Sequence, residues 1–302
     1  MKIPARLYKG DTIGITCPAG FMAAEKAATC IATLQQWGYR VRVGATLGSS
    51  SATYFSGTDD ERRNEMQALL DDKEIKAILC GRGGYGMGRI IDQLDFSKFK
   101  KNPKWIIGFS DITILHCQLF SQYKIASLHA PMAAAFNDGG AEGEYVLSLK
   151  AALAGKKARY QCAPHPYNKT GVASGKLVGG NLSLLAHSIG TPSEPETKKC
   201  ILFIEDIGEY IYSTDRMLHQ LKRAGKLHKA AAIILGGFTD VKDTDRPFGS
   251  SIDEVLKAIV DDLDIPVCFH FPVSHNPQNV ALKVGVEYQL SVRKKSVALK
   301  EL

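Results

Sequence analysis

The chain has 302 residues, of which 45% are apolar and 23% charged, with a formal net charge of +7. This is the composition of a soluble globular protein with a large core, and the length suggests two domains. The basic residues are scattered and not interleaved with aromatics, and no apolar run approaches membrane-spanning length, so neither a nucleic-acid surface nor a membrane span is expected. The 7 cysteines are odd in number and form no C-x-x-C pair. That suits reduced thiols in a cytoplasmic protein better than a disulfide framework, and the first residues lack the apolar segment of a signal peptide.

Taken in order, residues 11–20 predict a buried strand ending at a Pro/Gly turn. A helix over 23–37 and a strand over 39–43 follow. Tyr54–Thr58 reads as a loop. Asp59 opens a helix to about Leu70, with its acidic residues at the N-terminus, where the helix dipole favours them. Ile75–Cys80 is a strand, followed by the glycine-rich stretch Gly81–Gly88 and a short helix over 89–94. Trp105–Ile107 forms a further apolar strand. From Asp111 the apolar residues Ile112, Leu115 and Leu119 recur at helical spacing. This β-α alternation predicts a parallel sheet covered by helices on both faces, with any site beyond the strands' C-terminal ends.

Two segments of this half fall at such ends. Ser110 stands between strand and helix, two residues after Gly108. There a sharp turn lifts a side chain clear of the sheet, as in the nucleophile elbow G-x-S-x-G, although Ile112 replaces the second glycine. A helix N-cap is the bland alternative for Ser110 or Asp111. Gly81–Gly88 lacks the Lys-Ser/Thr of a P-loop and matches G-x-G-x-x-G only loosely. It reads either as a tight turn or as a source of backbone N–H groups for an oxyanion hole near Ser110, completed by the N–H of Asp111. Arg82 can grip a substrate carboxylate or sit in a surface ion pair.

Residues 137–157 read as a connection containing one polar helix, which divides the chain into domains 1–150 and 151–302. Residues 158–178 form short strands, and Gly179–Leu182 begins a small helix. Cys200–Ile204 is a strand that ends on Glu205 and Asp206. A helix starts near Ser213, a strand spans 230–235, and a helix runs over 252–263. The strand Pro266–Phe271 empties into the loop Pro272–Asn279, and two strands over 286–292 and 296–299 close the chain. His116 and His219 fall in helices, His270 in a strand, and His129 and His165 beside turns. Only His275 lies in a polar loop straight after a core strand, where a positioned general base is expected. The histidines show no metal-binding spacing, so no metal and no cofactor is expected.

Ser110, Glu205 and His275 thus stand at three strand ends. In their joint order, Gly10–Ile15, Pro18–Gly20, Gly57–Asp59, Gly81–Gly86, Gly108–Thr113, Gly179–Leu182, Ile204–Asp206 and Ser274–Asn279 resemble the LD-carboxypeptidase (muramoyl-tetrapeptide carboxypeptidase) family of serine peptidases over nearly the whole chain. Ser274 stands where that family usually has glycine. The resemblance implies an N-terminal α/β domain like that of class I glutamine amidotransferases and a C-terminal swivelling β/α domain. It assigns Ser110 as nucleophile, Glu205 as the acid and His275 as the base. Asp111 and Gly84 become the oxyanion N–H donors, and Arg82, Gly83 and Tyr85 the substrate contacts. It further implies metal-independent release of terminal D-alanine from murein tetrapeptides in cytoplasmic cell-wall recycling, with dimerisation as a family-level expectation. A related branch cleaves peptidyl-aminoacyl nucleotides and confers resistance to microcin C. The absence of a tryptophan-bearing loop favours the carboxypeptidase reading. A non-catalytic phosphate-binding protein using Gly81–Gly88 is the alternative from another class.

Overall fold

A computed structural model describes residues 1–302. Its strands are β1 (Thr12–Thr16), β2 (Arg40–Val43), β3 (Ile75–Cys80), β4 (Trp105–Gly108), β5 (Ser127–His129), β6 (Arg159–Cys162) and β7 (Gly171–Asn181), followed by β8 (Ile201–Ile207), β9 (Ala232–Thr239), β10 (Val267–Cys268), β11 (Leu282–Val284), β12 (Glu287–Arg293) and β13 (Ser296–Glu301). One sheet has the order β11-β5-β4-β3-β1-β2, and its first five strands in sequence are all parallel. The strand order reverses between β1 and β3, which opens a crevice above their C-terminal ends. The other sheet runs β10-β9-β8-β7-β12-β13-β6: β7 to β10 are parallel, and β12, β13 and β6 are antiparallel. No helix is long and apolar enough to cross a membrane.

The near-continuous apolar runs of β1, β3 and β4 follow from burial on both faces. The helix Asp59–Asp71 begins at a capping box in which Thr58 and Glu61 satisfy each other's backbone N–H groups. One apolar cluster of 42 buried residues draws on both sheets, so the two halves of the chain share a core. β11 strengthens that link: it comes from the second half yet pairs antiparallel with β5 of the first sheet.

Several expectations change in detail. The segment expected as a polar connection carries the helix Glu144–Leu153, whose Val146, Leu149 and Leu153 are buried in the shared core. β7 runs through Gly179 and Gly180 to Asn181, and the helix begins only at Leu182. A Cβ on Gly179 would lie 1.9 Å from the Phe203 carbonyl oxygen, so the glycine marks a close strand approach rather than a helix start. The strand expected over 266–271 shrinks to Val267–Cys268, because His270 takes a left-handed conformation with φ 53°. His129 is the last residue of β5, where the strand gives way to irregular chain.

A buried ion pair ties the two sheets together. Lys283 of β11 donates to both carboxylate oxygens of Glu301 in β13, at 2.9 and 3.0 Å, and to the carbonyl of Lys156 at 2.9 Å. Glu301 also accepts from the N–H of Ala158. Removing one partner of such a pair leaves an uncompensated buried charge, which typically costs about 3–5 kcal/mol. Lys283→Met is therefore expected to lower unfolding stability by about that amount in urea titrations, while Lys283→Met combined with Glu301→Leu recovers most of the loss.

Candidate active site

The turn after β4 is strained: Ser110 has φ 62°, a region costly for a residue with a Cβ. A 3₁₀ turn over Ser110–Ile112 then leads into the helix Thr113–Gln118. The missing second glycine of the elbow has a packing reason. Ile112 is fully buried, and a Cβ on Gly108 would come within 2.9 Å of its side chain, so the tight approach is met by Gly108 alone. His116 braces the turn from below, with Nε2 2.8 Å from the Gly108 carbonyl oxygen and Nδ1 2.8 Å from the Ser127 hydroxyl. A carbonyl only accepts, so Nε2 carries the proton and Nδ1 accepts from Ser127. Burial pushes the His116 imidazole down to about 4, which keeps it neutral.

The glycine-rich loop packs directly on this turn. A Cβ on Gly83 would lie 2.9 Å from Ser110 Cβ and 3.1 Å from its Oγ, whereas Gly84 faces Tyr54 and Gly20. The N–H groups of Asp111 and Gly84 donate to no acceptor within the protein. The Asp111 carboxylate is buried and accepts from the Met87 N–H at 2.7 Å, joining loop to elbow. Burial raises its pKa to about 6. The fully buried Arg62 adds a second tie by donating to the carbonyls of Pro18 (2.6 Å) and Gly86 (3.1 Å) and pairing with Asp59. Sequence reasoning missed Arg62, although the Thr58–Glu61 capping signature fixes the helix register that carries it. Arg82 makes no ion pair; it donates to the Phe21 carbonyl at 2.7 Å and faces the cleft. Tyr85 is exposed beside Phe55 and does not line the cleft.

Glu205 lies at a bulge in β8 and is completely buried. Its Oε2 meets His275 Nδ1 at 2.6 Å, while Oε1 and the buried His275 Nε2 have no partner. Burial alone would lower the His275 pKa. The hydrogen bond and charge of Glu205 outweigh it, with smaller help from Asp206 and Asp240, so the pKa is raised above 6.5. Asp206, its own pKa pushed up to about 6 by burial, holds Asn181 Nδ2 at 2.6 Å and the Ser183 N–H and hydroxyl.

The Phe109 ring, one residue before Ser110, stands 4.9 Å from the His275 ring in an edge contact, and next to it His129 is packed against both Phe109 and Phe203. The elbow and the His275–Glu205 pair therefore meet across the junction of the two sheets. Ser110 Oγ and His275 Nε2 are not hydrogen-bonded to each other; such contacts commonly close only when substrate is bound. Phe109, His275, Arg82, Phe21, Met132 and Asn279 help line a cleft of about 450 Å³, which suits a small peptide.

Residues 13–130 match the model of an LD-carboxypeptidase N-terminal domain, and residues 174–290 that of an LD-carboxypeptidase C-terminal domain. A protein named probable murein peptide carboxypeptidase, from Bacillus subtilis, is 35% identical over 98% of this chain and 93% of its own length. The crystal structure of muramoyltetrapeptide carboxypeptidase from Oxalobacter formigenes superposes with a TM-score of 0.86 at 29% identity, covering 96% of this chain and 98% of the other. The microcin C7 self-immunity protein MccF of Escherichia coli is 27% identical over 99% of this chain and 96% of its own.

Gly83→Ala tests the loop–elbow packing. The added methyl is expected to cost about 1–3 kcal/mol of stability and to slow labelling of Ser110 by a fluorophosphonate about 10²-fold, read by intact-mass spectrometry.

Proposed function

The chain belongs to the LD-carboxypeptidase family, and from that premise we propose that it removes the terminal D-alanine of murein tetrapeptides by a serine mechanism, cutting the amide that joins this residue to the L-centre of a diamino acid. The observation that carries the reading is the buried Glu205–His275 pair standing across the sheet junction from a strained serine turn. Neutral His275 takes the Ser110 proton on Nε2 as Oγ attacks the scissile carbonyl. Glu205 holds the imidazole tautomer through Nδ1–H and stabilises the imidazolium. The free N–H groups of Asp111 and of the Gly83–Gly84 turn hold the developing oxyanion. The imidazolium then protonates the departing amine of D-alanine. Water, deprotonated by His275, hydrolyses the acyl-enzyme and restores the serine.

The Arg82 guanidinium, which lines the cleft and donates only to the Phe21 carbonyl, is suited to the free carboxylate that an exopeptidase must recognise. The chemistry needs no metal. All seven cysteines are free thiols, which suits a reducing cytoplasm and recycling of cell-wall fragments there. Trp37 and Trp105 are both buried in the core, so neither offers a face to a nucleobase, and this favours murein peptide over a peptidyl nucleotide.

Purified protein is expected to release D-alanine from murein tetrapeptide equally well with and without a chelator. Ser110→Ala lowers kcat by about 10⁴-fold or more with an unchanged thermal midpoint. Turnover by Ser110→Ala, or release of aminoacyl nucleotide but no D-alanine by the wild type, would overturn this assignment.

The pH dependence has a definite sign. The base acts neutral, and its pKa lies above 6.5, so kcat/KM falls as pH drops through that raised value. In Glu205→Gln the charge is gone and burial dominates. The acid limb then moves below 6.5, on a lower plateau, in profiles measured over roughly pH 5–9.

A further inference from the structure

Next to the His275 loop, three side chains from separate segments converge. His165 comes from the connection between β6 and β7, Asp253 from the first turn of the helix Ile252–Val260, and His270 from the turn after β10. One nitrogen or oxygen from each lies within 4.8 Å of the other two. His270 Nε2 is 3.0 Å from Asp253 Oδ1, and His165 Nε2 is 3.8 Å from Asp253 Oδ2. We propose that His165, Asp253 and His270 form a binding site for one divalent transition-metal ion of the zinc class.

Two imidazoles and a carboxylate are the ligand set such ions prefer, and bonds of about 2.0–2.2 Å to a tetrahedral ion place its ligands roughly 3.3 Å apart. The two carboxylate–imidazole separations, 3.0 and 3.8 Å, bracket that spacing, so modest side-chain rotation closes the site. The ligands are held by their surroundings. The His165 ring stacks on Phe269 at 5.4 Å and meets Tyr167 edge-on, and the Ser251–Glu254 capping box fixes the turn that carries Asp253. Ligation through Nε2 gives up only the long 3.3 Å contact between the Tyr167 N–H and Nδ1. The half-exposed His270 and Asp253 open onto a cleft of about 290 Å³, also lined by Ser274 and Asn276, which leaves room for water as a further ligand. The histidine spacing in the sequence carries no trace of this site, because the ligands meet only through the sheet.

The test uses the full chain stripped with a chelator and exchanged into metal-free buffer. Co²⁺ is titrated and followed by visible absorption, and Zn²⁺ by calorimetry. The expected result is one ion per chain, bound at about 10 μM or tighter, with affinity at least about tenfold weaker in His270→Ala, His165→Ala and Asp253→Asn. His275→Ala is expected to bind as the wild type does. His219→Ala, which removes the only other imidazole–carboxylate contact outside the two sites, is expected to do the same. Circular dichroism without metal identifies any variant that fails to fold; the exposed His270→Ala carries the test if His165→Ala does. Absence of saturable binding, binding retained in the His165→Ala/His270→Ala double variant, or binding lost in His275→Ala would each overturn the proposal.

Discussion

The candidate site depends on one contact between the two sheets. Thr113, three residues after Ser110, accepts the Asn181 N–H on its hydroxyl at 3.1 Å. A Cβ on Gly180 would lie 2.4 Å from that same hydroxyl, so only glycine lets the elbow helix seat so closely on the end of β7. Asn181 is in turn held by Asp206, the neighbour of Glu205 in β8. A short chain of polar contacts therefore runs from the serine turn to the strand that carries the histidine's partner. The cluster Gly179–Leu182 belongs to the architecture of the site without touching its chemistry.

The electrostatics follow from burying carboxylates away from solvent. Asp111 and Asp206 both sit in low-dielectric surroundings that lift their pKa values to about 6, yet each accepts backbone or amide hydrogen bonds that hold a loop in place. Glu205 differs from both. Only one of its oxygens is engaged, and that one faces the His275 Nδ1. An acid arranged in this way has no stronger interaction available than with an imidazolium, so the site favours the charged form of His275 as a proton is drawn onto it.

The strand ends, the elbow and the polarity of the His275 loop were legible in the sequence, because they follow from apolar runs that stop abruptly at glycine or polar residues. The pairing of Glu205 with His275 was not deducible from either residue's surroundings; it came from the family resemblance and from the order of motifs. Arg62 and the bracing roles of His116 and His129 were not legible for a physical reason. Nothing in the local pattern around any of them marks a special residue, and each works through a partner that only the folded chain brings to it. Gly179 was misread in the same way, since its close approach to Phe203 exists only once β8 lies alongside.

Ser274, next to the histidine, shows how the loop accommodates a side chain. It is buried, and its hydroxyl accepts the Asn276 N–H at 2.9 Å, closing a small turn around His275. Its φ is not in the left-handed range, so a glycine is not required for the backbone. The space is made by the facing strand: a Cβ on Gly237 would fall 2.6 Å from Ser274 Cβ, and one on Gly236 would fall 2.1 Å from the Val273 carbonyl oxygen. Ser274 is thus accommodated by room in β9 and by a hydrogen bond across the histidine. A serine has less freedom in the unfolded loop than a glycine would, and its hydrogen bond to Asn276 holds the backbone on both sides of the imidazole that meets Glu205.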